Sequence, residues 1–533
     1  MHMQAVYEYI AAHQAEALDE LRAYCAQASV SAEGQGLEQM AAIVCASLER
    51  RNFRTEVVPL AGGFPIVYAE SQDATPAHAP TLLIYNHYDV QPAGDPALWT
   101  SPPFELTLHE GKAVARGVAD TKGNIVSRLA AIDALRAARG TLPVKIKWVI
   151  EGEEEIGSPN LDTFLLQYRD RLAADGCLWE FGTFNWDGTP QIMLGMKGML
   201  TVELSVAGPN RDLHSSQAAY VTSPVWRLVW ALGAIKSEIL DILIEDFEKR
   251  IAGTSSTDLD LINLLPDDGE ILKANLGLTE FLPGLEGRAR RQAEAFLPTC
   301  NIHGIWAGYQ GPGSKTILPR EAHAKLDFRL VPDQDPDEIL DLLRKHLDAK
   351  GFADVQVTQL EGSLFPARTD PAQPFVVLAM QVCAELSNRR PLVYPSSPAS
   401  GPMYSFTNGL GLPVVALGCG YPGSAAHAPD ENIRLHDFHE GTRLIALLLE
   451  RMAAMDFAAA HRLEEAFQAR RAPEAAAAPG AVETYDPNRY ADVETGLEPI
   501  DYAAIAAEMA RESPAPAPPA PPARPKRGGR RKK

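Results

Sequence analysis

Residues Val144–Ile150 (VKIKWVI) run directly into residues 151–158 (EGEEEIGS). The first part alternates and is rich in β-branched residues, which predicts a strand, and the acidic run follows at its carboxyl end. In open α/β sheets, functional sites form at that end of the strands. Neighbouring glutamates held there repel each other unless a positive charge such as a metal ion lies between them. Alone, the run is as compatible with a structural role as with a functional one.

A second predicted strand upstream also ends in side chains that can bind a metal. Thr81–Asn86 is a short apolar run that is followed by His87, Tyr88 and Asp89. Residues two apart in a strand share a face, so His87 and Asp89 point the same way. This arrangement suits an imidazole that binds a metal and is oriented by a carboxylate behind it. The alternative is a surface histidine that happens to lie near an aspartate.

Asp120 precedes a predicted helix that runs from Ile125 to Ala138. An aspartate at this place is often only an N-terminal helix signal. The alternative is a carboxylate that bridges two metals, with one oxygen bound to each.

These segments together resemble one known family. The similarity is carried by four runs of sequence and continues to about residue 455: Asn86–Pro92, Trp99 with Pro103–Glu105, Arg116–Gly123 and Glu151–Ser158. In order and spacing they are similar to the M20 family of metallopeptidases, which includes carnosine-type dipeptidases and enzymes that resemble acetylornithine deacetylase and succinyl-diaminopimelate desuccinylase. The resemblance implies an amide-bond hydrolase, most similar to a dipeptidase, with two divalent metal ions in each subunit.

The resemblance also implies a role for each residue of the first three motifs. His87 would bind one metal, with Asp89 behind it as a catalytic residue, and Asp120 would bridge both metals. Glu154 would be the general base, and Glu155 would bind the second metal. Glu151 and Glu153 would then have no direct role.

Two further ligands are expected from the later part of the chain. Glu180 follows the strand-like run Gly176–Trp179 and is the candidate partner of His87, with Asp175 and Asp187 as less well placed alternatives. His427 lies in a Gly/Ser-rich loop and would be the partner of Glu155.

Three residues are candidates for substrate binding by the same resemblance. His214 would reach the active site of a partner subunit, Arg329 would bind the substrate carboxylate, and Ser400 lies in a substrate loop. A planar guanidinium suits carboxylate binding. Residues 215–220 depart from the family pattern, which puts the preference for dipeptides in doubt.

The expected chemistry follows from what amide hydrolysis requires. Two divalent metals roughly 3.5–4 Å apart lower the pKa of a bridging water and polarise the carbonyl. Glu154 would take the proton of that water and return it to the leaving amine. Imidazole and carboxylate ligands suit Zn²⁺ and also Mn²⁺ or Co²⁺.

Strand-like and helical runs alternate up to about residue 198, which predicts an α/β domain with a mostly parallel sheet. The resemblance implies a zinc-peptidase-like catalytic domain with an inserted α+β, ferredoxin-like lid that dimerises. A helix of the lid should have Asp335 as its cap and Pro336 at its first position, and should end near Ala349. We expect the catalytic domain at 1–198 and 372–456, the lid at 199–371, and an Ala/Pro-rich, largely disordered tail at 457–533. The catalytic domain should end in a helix near Leu444–Met455. In the tail, Pro499–Ala510 is a candidate short helix with proline at its start.

The composition limits the other function classes. The chain has 533 residues and a net charge of −20, although its last ten positions hold only basic charges. An acidic body argues against nucleic acid as the main ligand, except through the basic tail. No apolar run reaches the roughly 20 residues of a membrane span. Six scattered cysteines and the absence of a signal peptide favour a cytoplasmic protein.

The sequence is compatible with three alternatives to a dipeptidase. The first keeps the mechanism and changes the substrate to an N-acyl- or N-carbamoyl-amino acid. The second is a non-catalytic binding protein, against which the complete ligand set argues. The third is nucleic-acid binding through the tail.

Overall fold

The computed structural model describes residues 2–73, 76, 78–457, 459, 460 and 462. Nearly all of the predicted tail, including the short helix expected at residues 499–510, lies outside these residues. In the first part of the chain the helices are α1 His2–Ala12, α2 Gln14–Ala26, α3 Leu37–Glu49, α4 Gly123–Arg139 and α5 Leu161–Tyr168. The strands of this part are β1 Phe53–Val58, β2 Ile66–Ser71, β3 Thr81–His87, β4 Thr107–His109, β5 Lys112–Val114, β6 Lys145–Glu151, β7 Gly176–Trp179, β8 Thr183–Phe184, β9 Pro190–Met193 and β10 Gly195–Met196.

The inserted part of the chain begins directly after β10. Its strands are β11 Gly198–Ala207, β12 Leu213–His214, β13 Thr299–Ala307, β14 Ile317–Leu318, β15 Glu321–Leu330 and β16 Gln356–Gln359. Its helices are α6 Pro224–Ile235, α7 Ser256–Asn263, α8 Gly269–Leu276, α9 Gly287–Phe296 and α10 Pro336–Ala349. The cap of α10 is Asp335, whose side chain accepts from the amides of Asp337 and Glu338.

The last part of the chain returns to the large, nine-stranded central sheet. Its elements are β17 Ala367–Arg368, α11 Pro374–Ser387, β18 Leu392–Tyr394, β19 Val414–Ala416, β20 Asn432–Arg434 and α12 Leu435–Ala453. The final helix was expected only near residues 444–455, but α12 begins at Leu435. Its first turns bury polar residues, including Asp437 and Thr442, so the apolar pattern of the sequence did not reveal them as part of the helix.

The central sheet has nine strands in the order β1-β2-β6-β3-β7-β19-β9-β18, with β8 paired to β9. Its middle four strands, β6, β3, β7 and β19, are parallel to one another. The strands β2 and β9 on either side of this group run antiparallel to it. Helices cover the sheet on both faces, and each face has its own apolar core. The α/β architecture with a parallel centre is therefore confirmed.

The inserted part has a separate core and a ferredoxin-like topology. Four antiparallel strands lie in the order β13-β15-β11-β16, with α6 and α10 packed on one face. The chain order of these elements is strand, helix, strand, strand, helix, strand. The buried residues of this sheet and its helices form a third cluster, distinct from the two cores of the large sheet. We call this unit the lid.

Two short strands connect the lid to the large sheet. β10 and β17 pair antiparallel, so the outgoing and returning segments run side by side. Two of the helices that extend from the lid contact β18 of the large sheet. Helix α7 packs on β18, and the guanidinium of Arg291 in α9 lies 5.5 Å from the centre of the Tyr394 ring.

All six cysteines are free and buried. Within the described residues, every helix is too short or too polar to span a bilayer.

Candidate metal centre

The candidate residues meet at one edge of the central sheet. β3 ends at His87, β6 ends at Glu151 just before the acidic turn, and β7 ends at Trp179 just before Glu180. These strands are parallel neighbours, with His87 in register with Glu151. Their carboxyl ends therefore deliver an imidazole and several carboxylates to the same place, as the sequence predicted for this edge.

Asp120 lies between the two histidines. Its Oδ1 is 3.0 Å from Nε2 of His87, and its Oδ2 is 3.1 Å from Nε2 of His427. Each oxygen of one carboxylate thus faces a different imidazole. Asp120 lies in a turn at residues 118–122 and precedes α4, so it is close to a helix start while its side chain points into the cluster.

Each histidine has a second carboxylate beside it. Nε2 of His427 is 3.1 Å from Oε2 of Glu155, and Nε2 of His87 is 3.8 Å from Oε2 of Glu180. The structure therefore places two His–carboxylate pairs on either side of Asp120. The side chain of His427 is 54% exposed, whereas His87, Glu155 and Glu180 are buried, so the cluster opens to solvent on the His427 side.

The two alternatives to Glu180 are engaged elsewhere. Asp175 accepts a hydrogen bond from the amide of Thr81 at 2.8 Å, at the opposite end of β3. Asp187 accepts from the amide of Thr189 and pairs with Arg389 at the surface. Of the three candidates, the structure brings Glu180 beside His87.

Asp89 connects the histidine to the acidic turn. Its carboxylate accepts from the amides of Glu154 at 3.2 Å and Glu155 at 3.0 Å. One oxygen also lies 3.3 Å from Nδ1 of His87, and this nitrogen is 3.0 Å from the backbone oxygen of Asp89. Asp89 is fully buried, so it holds the imidazole and the turn in one arrangement.

The acidic turn divides into two kinds of residue. Glu151 accepts from Tyr85 at 2.5 Å and Ser158 at 2.9 Å, and Glu153 accepts from the amide of Phe64 at 2.9 Å. These two carboxylates therefore hold the surrounding backbone and side chains. Glu154 and Glu155 instead occupy a short 3₁₀ turn next to the histidines.

The pKa shifts in the cluster indicate that additional positive charge would stabilise it. Burial and then the Asp120 and Glu151 carboxylates raise the pKa of Glu180 to about 8. Burial and the Glu180 carboxylate raise the pKa of Glu154 well above its ordinary value. Burial raises the pKa of Asp120 too, but the hydrogen bonds from His427 and His87 outweigh it and lower that pKa overall.

The residues fit a pair of divalent cations. Oε2 of Glu180 is buried without a hydrogen-bond partner among the described residues, as expected for a ligand atom. Single donor atoms of Asp120, Glu155 and His427 lie within 4.8 Å of one another. Imidazole nitrogen and carboxylate oxygen are the donors that Zn²⁺ and similar metals prefer.

Glu431 belongs to this region, although no pattern in the sequence predicted a role for it. Its carboxylate accepts from the guanidinium of Arg116 and from three amides of the turn that carries Asp120. An acidic residue four positions after a candidate ligand is the only sequence signal for it.

The candidate substrate residues lie on the lid and on a facing loop. Nη1 of Arg329 donates to Oγ of Ser400 at 2.7 Å, and this hydroxyl donates to the backbone oxygen of Gly198 at 3.1 Å. β15, which carries Arg329, is an inner strand of the lid rather than an edge strand. His214 is exposed, and its Nδ1 lies 2.8 Å from Oγ of Ser216.

A separate cavity of about 280 Å³ lies among the helices of the large domain. It is lined by residues of α1, α2, α4 and α12 and shares none with the metal centre. Two of its three acidic residues, Glu20 and Asp133, are paired with Arg51, which makes them structural.

The chain is similar to known proteins of one family. Residues 83–451 match the model of peptidase family M20/M25/M40. The chain is 30% identical to the Cys-Gly metallodipeptidase DUG1 of Saccharomyces cerevisiae over 275 residues, which cover 51% of this chain and 57% of that protein. It is 25% identical to the human Beta-Ala-His dipeptidase over 478 residues, which cover 85% of this chain and 93% of the human protein.

A solved structure has a similar fold over most of this chain. The M20 family metallo-carboxypeptidase Sso-CP2 from Sulfolobus solfataricus superposes with a TM-score of 0.77 at 36% identity. The match covers 82% of this chain and 99% of that one. The fold, the order of the metal-centre residues and the matched family model lead to one conclusion: the chain belongs to peptidase family M20/M25/M40.

Proposed function

We propose that this protein is a two-metal hydrolase that cleaves the amide bond of dipeptides. The observation that carries the proposal is the position of Asp120, with one oxygen facing His87 and the other facing His427. A carboxylate placed in this way suits a bridge between two cations. Each cation would have its own histidine and glutamate, His87 with Glu180 and His427 with Glu155.

When bound, a pair of divalent metals supplies Lewis acidity and lowers the pKa of a water toward neutrality. Glu154 would take the proton from the attacking water and deliver it to the leaving amine. This assignment is supported by its place beside Glu155 in the turn that Asp89 holds, and by its raised pKa, which favours proton acceptance near neutral pH. Asp89 would orient His87 and hold the Glu154 turn through two amide hydrogen bonds.

Arg329 would bind the carboxylate of the substrate. Its guanidinium reaches across from the lid to Ser400, so the two groups border the space between the lid and the large domain. A bidentate guanidinium–carboxylate contact gives both affinity and orientation. Two matched relatives are named dipeptidases for Cys-Gly and for Beta-Ala-His, and both names describe short peptides with a free carboxylate.

We further propose that the protein is a homodimer formed through the lid. β13 is a nine-residue edge strand of the lid sheet and exposes Ile302, Ile305 and Trp306. Helix α6 of the lid also exposes Trp226 and Trp230. An exposed apolar edge strand and exposed tryptophans on the same domain are typical of a protein interface. In such a dimer, His214 would reach the partner's metal centre.

The metal we propose is Zn²⁺, with Mn²⁺ or Co²⁺ as alternatives that the same donors accept. We also propose a cytoplasmic location, which the six free, buried cysteines support.

The test is hydrolysis by the metal-free protein after reconstitution with Zn²⁺, Mn²⁺ or Co²⁺. A panel of dipeptides, N-acyl-amino acids and N-carbamoyl-amino acids identifies the substrate class, and Glu154→Gln is the inactive control. Cleavage of dipeptides that depends on added metal supports the proposal. Preferential cleavage of acyl or carbamoyl substrates would move the assignment to that class.

A further inference from the structure

Two distant loops carry ligands of the candidate metal centre and must hold a fixed spacing. The turn at residues 117–122 carries Asp120, and the loop at residues 420–431 carries His427. Strand β20 starts at Asn432, which pairs with Val114 of β5. This pairing brings the end of the His427 loop over the Asp120 turn.

Glu431 joins the two loops through its side chain. Oε1 accepts from the amides of Ala119 at 2.8 Å and Asp120 at 3.0 Å. Oε2 accepts from the amide of Gly117 at 2.9 Å and from Nη1 of Arg116 at 2.7 Å. With 1% of its surface exposed, Glu431 has both oxygens committed to donors of the turn, so they do not serve as metal ligands.

We propose that Glu431 is a positioning residue that sets the spacing between Asp120 and His427 and thereby the affinity for the metal pair. This inference rests on the proposed two-metal function.

The physical reason is the number of amides that depend on one carboxylate. Gly117, Ala119 and Asp120 direct their N–H groups to Glu431, and the turn at Asp120 has non-helical backbone angles. Without the acceptor, these buried donors would be unsatisfied and the turn would rearrange. The Asp120 carboxylate would then move relative to His427, although neither ligand had been changed.

The charge of Glu431 is balanced locally by Arg116. That guanidinium is also buried, and it lies 5.2 Å from the centre of the Trp99 ring. The pair brings no net charge to the metal centre, so its effect on the metals is geometric. Residues that orient metal ligands typically change metal affinity by roughly 10–100-fold when replaced.

The test measures zinc binding to the folded, metal-free protein by competition with a chromophoric chelator. Glu431→Gln replaces one acceptor oxygen with an NH₂ group, and the expected result is roughly 10–100-fold weaker binding of at least one zinc ion. Amide hydrogen exchange of residues 117–120 in the metal-free protein should also become faster. Neither readout depends on turnover.

Asp258→Asn is the matched control. Asp258 is a buried carboxylate that accepts from the amide and hydroxyl of Ser255 and pairs with Arg368, away from the metal centre. This variant should lose stability and keep the zinc affinity of the wild type.

The outcomes separate the inference from the proposed function. Wild-type protein that binds fewer than two zinc ions would overturn the two-metal proposal. Two zinc ions in the wild type with unchanged affinities in folded Glu431→Gln would overturn only the role of Glu431. If Glu431→Gln does not fold, Glu431→Asp keeps the charge opposite Arg116 but cannot span the same amides. Its zinc affinity should also fall, and an unchanged value would equally overturn the inference.

Discussion

Oδ2 of Asp120 lies 3.1 Å from Nε2 of His427, although 307 positions separate the two residues in the chain. The other oxygen of Asp120 faces His87, so a single carboxylate serves both halves of the site. An asparagine side chain has only one oxygen, so at this position it could not offer one oxygen to each metal. We therefore expect Asp120→Asn to lower the metal content from two ions per chain to one or none, as measured by elemental analysis after dialysis. Two retained ions would contradict the bridging role.

Glu154→Gln should remove turnover without removing metal. A general base contributes typically about 10²–10⁴-fold, and we expect a loss of this size in kcat. Glu153→Gln is the matched control, because Glu153 contacts Phe64 and Asn160 rather than the histidines. Steady-state rates and metal content of the two variants test whether Glu154 has a catalytic role that Glu153 lacks. Equal losses in both would contradict it.

Arg329→Met should weaken substrate binding. Hydrogen bonds to charged groups contribute about 1.5–3 kcal/mol, which corresponds to a rise in KM of roughly 10–100-fold. A dipeptide with an amidated C-terminus lacks the carboxylate and is the control substrate. Wild-type enzyme should bind the amide weakly, and the variant should no longer distinguish the two substrates. If the variant still distinguished the dipeptide from its amide, a residue other than Arg329 would bind the substrate carboxylate.

The lid interface can be tested with Ile305→Asp on β13. The exposed side chain of Ile305 would be buried in the proposed dimer, and a buried aspartate without a partner is unfavourable. Size-exclusion chromatography with light scattering should show a monomer. Val57 is similarly exposed on β1 of the large domain, and Val57→Asp should stay dimeric. A monomeric wild type would refute the interface, and full activity of a monomer would refute the role of His214 across it.

We expect Lys197 to make the free energy of unfolding depend on pH. It is buried at the connection to the lid, where Nζ donates to the backbone oxygen of Leu297 at 2.6 Å. Burial lowers its pKa from 10.5 to about 8. Between these values the unfolded chain binds more protons than the folded protein, so this residue makes stability rise with pH.

The control variant is Lys197→Met, which has no titratable side chain at this position. From pH 7.5 to 10, the free energy of unfolding of the wild type should rise relative to the variant by on the order of 1–3 kcal/mol. Urea unfolding at a series of pH values measures this difference. A difference that stays constant with pH would show that Lys197 has the same pKa in the folded and unfolded states.

Local sequence signals predicted much of the fold. The strand that leads into the acidic turn was expected to end at Ile150, and it ends at Glu151. Helix α10 begins at Pro336, ends at Ala349 and is capped by Asp335, as the sequence indicated. These features depend on alternation, capping and proline, which act within a few residues. The family resemblance supplied the order of the metal-centre residues, which geometry then brought together.

Other features depend on contacts between distant segments. Glu431 contacts a turn more than 300 positions earlier, and no local pattern distinguishes it from its neighbour Asp430. The packing of α7 on β18 is likewise set by the return of the chain to the large sheet. Burial of the polar first turns of α12 also hid the start of that helix from its sequence pattern. Tertiary packing decided each of these.

The central claim is that two metal ions and Glu154 together perform the hydrolysis. The most direct measurement is a zinc titration of the metal-free protein, with dipeptide hydrolysis and bound zinc recorded in the same samples. We predict that activity rises until two zinc ions are bound per chain, and that Glu154→Gln binds both ions while remaining inactive. Full activity in the metal-free protein, or in Glu154→Gln, would contradict the account.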